Sequence, residues 1–445
     1  MTVKGEGRVM DRLTSAFRWF TRKLFSRCIH LVSRGRQSLR YLLLRRAYRH
    51  KVVFLRKEYR CRGNPIRVGF YVVYDSVFPA KQVFELMLDD PAFKPTIVVI
   101  PDICRGKDNE CAVLHKTEVA LRDRYSSRCE VLCSFDKNSN NYMDMTSRFD
   151  IICSANPYRG MTDYKYTVEH ASEIGVLSFF VSYGYVVSQW GLHAILDARS
   201  CNLCWRFYLD TSITERDARI HMSNGAKNVL TVGYAKMDGM GAILERPRER
   251  KRIILAPHHT IKMDELPLSN FLAYSEFFQE LPQQYPDIDF VFRPHPLLRV
   301  TLEREDVWGK ERTDVYFNKM AQKVNVEYQD GGDYLETFVN SDAIIHDCGS
   351  FAAEYLFTGH PACFILKDDS IPNRYLNNLM QGCLNAHYKA YSCEDIIDFI
   401  NKVVIAGKDD MGEVRKSFFE ENLKFKYPYV SKAILDDIKS MIGIS

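Results

Sequence analysis

Ile253-Ile254-Leu255-Ala256-Pro257-His258-His259-Thr260 is the stretch that decides the fold of this chain. An apolar run runs straight into a proline and three polar side chains, which reads as a strand buried on both faces and then an abrupt turn. The same transition recurs twice. Phe290-Val291-Phe292 leads into Arg293-Pro294-His295-Pro296, and Ala343-Ile344-Ile345 leads into His346-Asp347-Cys348-Gly349-Ser350. Runs at 324–328 and 362–366 complete the set, with helical patterns such as 334–340 and 351–357 between them. Strands alternating with helices predict a mainly parallel sheet covered on both faces.

Working back toward the N-terminus, a polar, basic stretch at 245–252 with Pro247 reads as a linker. Before it, apolar runs at 66–74, 96–100, 130–133, 150–153, 176–181 and 229–232 repeat the alternation. The expectation is an α/β chain of two doubly wound, Rossmann-like domains in a GT-B-like arrangement. Its boundaries are a helical arm over 1–62, a first domain over 63–244 and a second over 245–445.

The formal net charge is +5, yet residues 1–62 hold 18 Lys/Arg against 3 Asp/Glu, so the rest of the chain is net acidic. Basic character belongs to the arm alone. Leu13, Phe17, Phe20, Leu24, Cys28 and Leu31 recur at steps of three and four, one apolar stripe on a helix. Such a helix suits an anionic membrane surface, although one packed on its own protein with a solvated basic face has the same pattern. A nucleic-acid arm is the weaker third reading, and no nucleic-acid partner is expected. No run reaches the roughly 18 apolar residues of a spanning helix, and no secretory signal is evident. The expectation is a cytoplasmic protein, peripheral on the inner face of the cell membrane. Thirteen cysteines fit reduced thiols better than a disulfide framework. The one CxxC, Cys201 and Cys204, lacks a second pair at zinc spacing, so neither metal nor other cofactor is expected.

Ligands of open parallel sheets bind beyond the carboxyl ends of the strands, and there the second domain gathers its chemistry. His258 and His259 can donate to phosphate oxygens or move a proton. Arg293 offers a forked cation, and prolines on both sides restrict the backbone around His295. The small-residue turn at Asp347, Gly349 and Ser350 lets backbone donors approach a pyrophosphate. A lone strand-end histidine is more often a structural group, and a Gly-Ser turn more often a helix cap; three such pieces on strand ends of one domain carry the site. Asp287 and Asp289 imitate a metal-binding pair but precede a strand, at the opposite sheet edge.

The order of these motifs resembles the second domain of the CDP-glycerol glycerophosphotransferase family, the GT-B-type polymerases of teichoic acid and some capsule backbones. Gly233-Tyr234-Ala235-Lys236-Met237-Asp238 is similar to the family's Gly-x-Pro-(Lys/Arg)-x-Asp segment, with Ala235 in place of proline. The resemblance implies donor binding by Arg293, His259, Asp347, Gly349, Ser350 and Glu354, with His295 matching the family's donor-site histidine. Gly349 stands where the family has a serine.

The family's Trp-His-Gly-Thr segment, whose histidine is a proposed base, has no counterpart. Tyr183-Gly184-Tyr185 follows the strand instead, on what the resemblance makes the acceptor side. His258 and His193 are the candidates for the missing base, beside His295 as a catalytic group. The implied reaction moves an alditol phosphate from a CDP-activated donor to a lipid-linked or surface-polysaccharide acceptor. A GT-B glycosyltransferase using a nucleotide-sugar and a non-catalytic nucleotide-binding membrane scaffold remain alternatives.

Overall fold

The computed structural model describes the backbone of residues 4–104, 106–136, 139–158 and 160–444, with side chains from Val32 onward within those stretches apart from position 108. The first sheet contains β1 (Ile66–Val72), β2 (Phe93–Val99), β3 (Val131–Cys133), β6 (Ile151–Ser154), β7 (Leu177–Val181), β8 (Arg206–Leu209) and β9 (Val229–Thr231). Two short strands, β4 (Phe135–Asp136) and β5 (Asn141–Tyr142), form a separate antiparallel hairpin. The second sheet contains β10 (Lys251–Ala256), β11 (Ile288–Phe292), β12 (Val326–Tyr328), β13 (Ala343–His346), β14 (Ala362–Ile365) and β15 (Tyr388–Ala390).

Every pairing within both large sheets is parallel, in the orders β3-β2-β1-β6-β7-β8-β9 and β12-β11-β10-β13-β14-β15. The central strands are apolar because helices cover both faces; β6, β7, β13 and β14 are buried along their whole length. Strand order reverses between β1 and β6 and again between β10 and β13, which opens a crevice at each reversal. Ala256 pairs with His346, so the second-domain loops that leave β10 and β13 start at one level.

The boundaries depart from expectation at the end of the chain. The helix Val430–Ile442 belongs to the core of the first domain, where Val430, Ile434, Leu435, Ile438 and Ile442 pack with β1, β2 and the helix Lys81–Leu88. Arg206 of β8 donates to both carboxylate oxygens of Asp437 at 2.7 Å, and Tyr208 donates to the same group at 2.9 Å. Gly233 is required by the return path. Its φ is +106°, and a Cβ there would lie 2.1 Å from the Phe425 carbonyl oxygen. Asp238 then accepts from the backbone N–H groups of Val430 and Ser431, capping the returning helix.

Residues Lys4–Arg62 form one helix. The stripe of Leu13 to Leu31 lies outside the described side chains. Farther along, Tyr41, Tyr48, Val52 and Leu55, at steps of seven, four and three, turn one face into the first domain. Tyr48 donates its hydroxyl to the Leu203 carbonyl at 2.5 Å. Arg56 and Arg60 donate to the carbonyls of Ile442 and Gly443 at 2.6 and 2.9 Å, placing cations on the carboxyl end of the last helix.

Asp437→Ala should remove the partner of a largely buried guanidinium. Unfolding free energy should fall by about 3 kcal/mol, measured by urea denaturation, whereas a change under 0.5 kcal/mol, roughly the scale of a neutral surface site, would deny the pair this role.

Candidate functional site

Three histidines converge above β10 and β11. The rings of His259 and His295 stack with centroids 4.0 Å apart, and His258 lies 4.4 Å from His259 and 4.9 Å from His295. Backbone bonds set this arrangement: Arg293 N–H donates to the Leu255 carbonyl and His295 N–H to that of Pro257, each at 2.9 Å. The loops that follow the two strands are therefore laced together before any side chain takes part.

His295 is the N-cap of the helix Pro296–Leu302, and its Nδ1 accepts the Leu297 N–H at 3.1 Å. A ring nitrogen that accepts has no proton, so in neutral His295 the proton sits on Nε2. The cap fixes the orientation of this half-buried ring. His258 is buried, with Nδ1 2.9 Å from the Thr260 hydroxyl. Burial first, and then His295, His259 and His346, push its pKa well below the ordinary histidine value, so it stays neutral.

Among the described residues these three are the group whose ligand atoms lie close enough, within 4.8 Å of one another, to hold a metal ion. Coordination through Nε2 of His295 would move its proton to Nδ1, where it would oppose the Leu297 N–H.

Asp347, expected among the donor-binding residues, holds the site's frame. Its carboxylate accepts the backbone N–H of His258 and of Asn270, each at 2.6 Å, and is fully buried. Burial pushes its pKa up to about 7 in spite of these bonds. Arg293 is similarly committed. It donates to Gln329 Oε1 at 2.6 Å and to the Gly332 carbonyl at 2.5 Å, bracing a turn in which Gly331 and Gly332 both have positive φ. Glu354 is buried and accepts the Tyr334 hydroxyl, which in turn accepts from Lys236 Nζ at 2.6 Å. Lys236 comes from the Gly233–Asp238 segment, so the resembled motif reaches across to the second domain.

The turn after β13 meets the first domain directly. A Cβ on Gly349 would lie 2.9 Å from Val187 Cγ2 and 3.6 Å from Leu268 Cδ1. Val187, beyond Tyr185, therefore leaves no room for a side chain at position 349 unless it shifts. Ser350 begins the short helix Phe351–Glu354 and remains half-buried.

Tyr183, Gly184 and Tyr185 lie on the seam between the domains. The Tyr183 carbonyl accepts from Tyr234 at 2.7 Å, and the Tyr185 ring packs 4.6 Å from that of Tyr234. Asn377 of the second domain donates to the carbonyls of Val186 and Val187, at 2.5 and 3.2 Å. His193 does not join the three histidines; it is exposed, and its ring faces His221 at 4.7 Å. Asp289 pairs with Arg250 at the opening of the second sheet, away from the strand ends that carry the histidines.

Sequence reasoning missed Lys236 and Tyr334 as partners of Glu354. Lys236 was inside a quoted motif, but nothing in its spacing pointed to a residue 98 positions later.

A two-domain GT-B-like α/β protein with a histidine-lined crevice in its second domain is the class that fold and site define. The chain matches no family model and no curated protein. Among solved structures it is similar to a variant of the wall teichoic acid polymerase TagF, at a TM-score of 0.54 and 13% identity, covering 93% of this chain and 98% of that one. The same protein soaked with CDPG gives 0.53 and 17%, with the same coverage. UDP-GlcNAc 2-epimerase from Neisseria meningitidis, bound to UDP-GlcNAc, gives 0.51 and 12%, covering 85% of this chain and 100% of that one. These likenesses establish the shared fold.

Gly349→Ser should destabilise the protein by roughly 1–3 kcal/mol through overpacking against Val187. In combination with Val187→Ala much of that loss should return, a coupling that thermal melts of the four proteins would detect. Strict additivity would place the cause elsewhere.

Proposed function

We propose that this protein is a transferase that moves an alditol phosphate, such as glycerol phosphate, from a CDP-activated donor to a lipid-linked or surface-polysaccharide acceptor. The observation that carries the reading is the His295 Nε2–H, fixed by the Leu297 cap and stacked on His259 at the carboxyl ends of β10 and β11. In the reaction an acceptor oxygen attacks the donor's alditol phosphorus and a nucleoside monophosphate leaves. Charge grows on the leaving phosphate, and a preorganised N–H donor stabilises it most where water is excluded. His259 and Ser350 supply further polar contact, while Asp347 and Arg293 hold the loops. The likeness in fold to TagF favours this chemistry, together with the motif order of the second domain.

The fold likeness to UDP-GlcNAc 2-epimerases favours a second reading, a glycosyl transfer from a nucleotide-sugar. The products differ: phosphotransfer releases a nucleoside monophosphate and glycosyl transfer a diphosphate. Chromatography of the nucleotide released from CDP-glycerol and from UDP-GlcNAc decides between them.

The arm gives such an enzyme access to a lipid-linked acceptor at the inner face of the membrane. Val32, Leu39, Leu43 and Phe54 are exposed on the helix, and Tyr41 lies nine residues, or two and a half turns, from Val32. The outer apolar stripe therefore points opposite to the face buried on the protein. Arg36, Arg45, Arg46, Arg49 and Lys57 are exposed around it. An apolar stripe ringed by cations complements an anionic lipid surface. No helix among the described residues is long and apolar enough to cross a membrane.

His295→Asn should keep a capping acceptor and lose the Nε2–H. Turnover should drop by roughly 100-fold while melting temperature and CDP-glycerol binding stay near wild type. Near-normal turnover by this variant would remove His295 from the chemistry. Leu43→Glu with Phe54→Glu should weaken sedimentation with phosphatidylglycerol vesicles by at least about tenfold, without loss of fold. Equal sedimentation of variant and wild type would rule out this face.

A further inference from the structure

Tyr334 ends the turn that follows β12, and its buried side chain is where two flanks of the second-domain crevice meet. On one flank the Arg293 guanidinium carbon lies 5.4 Å from the ring centroid, and the same guanidinium donates to Gln329 and Gly332 of the turn. On the other, Phe351 packs 4.8 Å from the ring, and Glu354 of the same short helix accepts the Tyr334 hydroxyl. The turn also reaches the histidine side. A Cβ on Gly331 would lie 4.0 Å from Cγ of Pro296, the residue after the His295 cap.

Lys236 arrives at this point from the other side of the seam. It lies in the short helical segment Ala235–Ala242, which is wedged between the domains: a Cβ on Gly239 would meet Leu335 Cδ1 of the second at 3.1 Å and Gln82 Nε2 of the first at 3.3 Å. Lys236 Nζ donates to the Tyr334 hydroxyl at 2.6 Å and lies 4.2 Å from the ring centroid. Because that oxygen accepts from Lys236, it turns its own proton to Glu354, and the hydroxyl has one orientation. Burial lowers the pKa of the lysine, with Glu354 and Asp333 opposing and Arg293 acting the same way. Apolar side chains of the same volume often hold such a seam as firmly, but they would not direct the hydroxyl.

We propose that Lys236 is a positioning residue for turnover: it holds Tyr334, and Tyr334 holds the turn 329–334 against Arg293 and Pro296, between which His295 takes its direction. The inference rests on the phosphotransfer reading above, and in it Lys236 touches no reacting atom. Misplacing a positioned group by about 1 Å can cost roughly 100-fold in rate, even from a change far from the chemistry. His295 meets charge that grows only as the bond to the leaving phosphate breaks. The loss therefore falls on kcat and leaves the donor's dissociation constant alone.

Two measurements test this, and one of them needs no reaction. In Lys236→Met, amide hydrogen exchange over residues 329–335 should quicken by at least about tenfold, while the strands of the second sheet exchange as in wild type. Transfer from saturating CDP-glycerol to a lipid-linked glycan primer should slow by at least roughly tenfold, with the dissociation constant of CDP-glycerol within about twofold of wild type. Tyr334→Phe keeps the ring and loses the hydroxyl, so its kcat should fall by a similar factor. The double variant should lose no more than the worse single, since both changes remove one bond. Lys236→Arg retains the charge and a donor and should recover most of the rate.

A lysine that only holds the seam together forecasts otherwise: a lower melting temperature, a folded fraction with normal kcat, and losses that multiply in the double variant. A kcat for Lys236→Met within about threefold of wild type would overturn the proposal. So would unchanged exchange in the turn, whatever the rate. If Lys236→Met does not fold, Tyr334→Phe decides, and normal kcat with normal exchange in that variant counts against the assignment. A wild type that turns over no CDP-activated alditol ends the phosphotransfer reading itself, and the claim on rate with it. An active wild type beside a Lys236→Met variant of normal kcat ends only the claim on Lys236.

Discussion

The Asp347 carboxylate is the constraint on which the second-domain crevice depends. A strand end can point polar side chains at a ligand only if the loop beyond it has one conformation, and loops lack the ladder of bonds that fixes a strand. Asp347 supplies the missing bonds from a neighbouring strand, taking the N–H of His258 on one oxygen and of Asn270 on the other. With His258 held, the carbonyl of Pro257 is placed to receive the His295 N–H. One buried carboxylate thus orders two loops and, through them, three imidazoles. Its burial has a cost, visible in its raised pKa, and that cost is offset only while both N–H groups reach it.

Much of this architecture was legible in the sequence because parallel strands buried on both faces are written as unbroken apolar runs. Residues 253–256 and 343–345 are such runs, and they fall on β10 and β13. Two of the strands that escaped, β8 and β15, carry a charge. β8 reads Arg-Phe-Tyr-Leu, and its arginine is tolerated because Asp437 arrives from a helix 231 residues away. β15 reads Tyr-Lys-Ala, too short to stand out. The histidine positions were readable as positions. Their roles depended on partners such as Leu297 N–H and Thr260, which spacing alone does not specify.

The same reasoning separates residues that face a ligand from those that make a site rigid. Arg293 and Asp347 have the residue types expected of phosphate binders or their neighbours, yet each is occupied by backbone groups of its own domain. Glu354 is engaged through Tyr334 by a lysine from the other domain. A charge network across the seam couples the relative position of the domains to the crevice, because Lys236 lies in the segment that also caps the final helix through Asp238. Movement of either domain would reach the crevice through that segment.

The final helix has a consequence for how the molecule is made. The second domain is an insertion in topological terms, since Val430–Ile442 completes a core that β1 begins. During synthesis the first domain must wait, with β1, β2 and the helix Lys81–Leu88 uncovered, until more than three hundred further residues have emerged. The second domain has no such dependence and can close its own sheet as soon as β15 is available. Order of assembly thus runs opposite to order of translation, leaving an apolar surface on the ribosome-bound chain that a chain lacking the last helix would never cover.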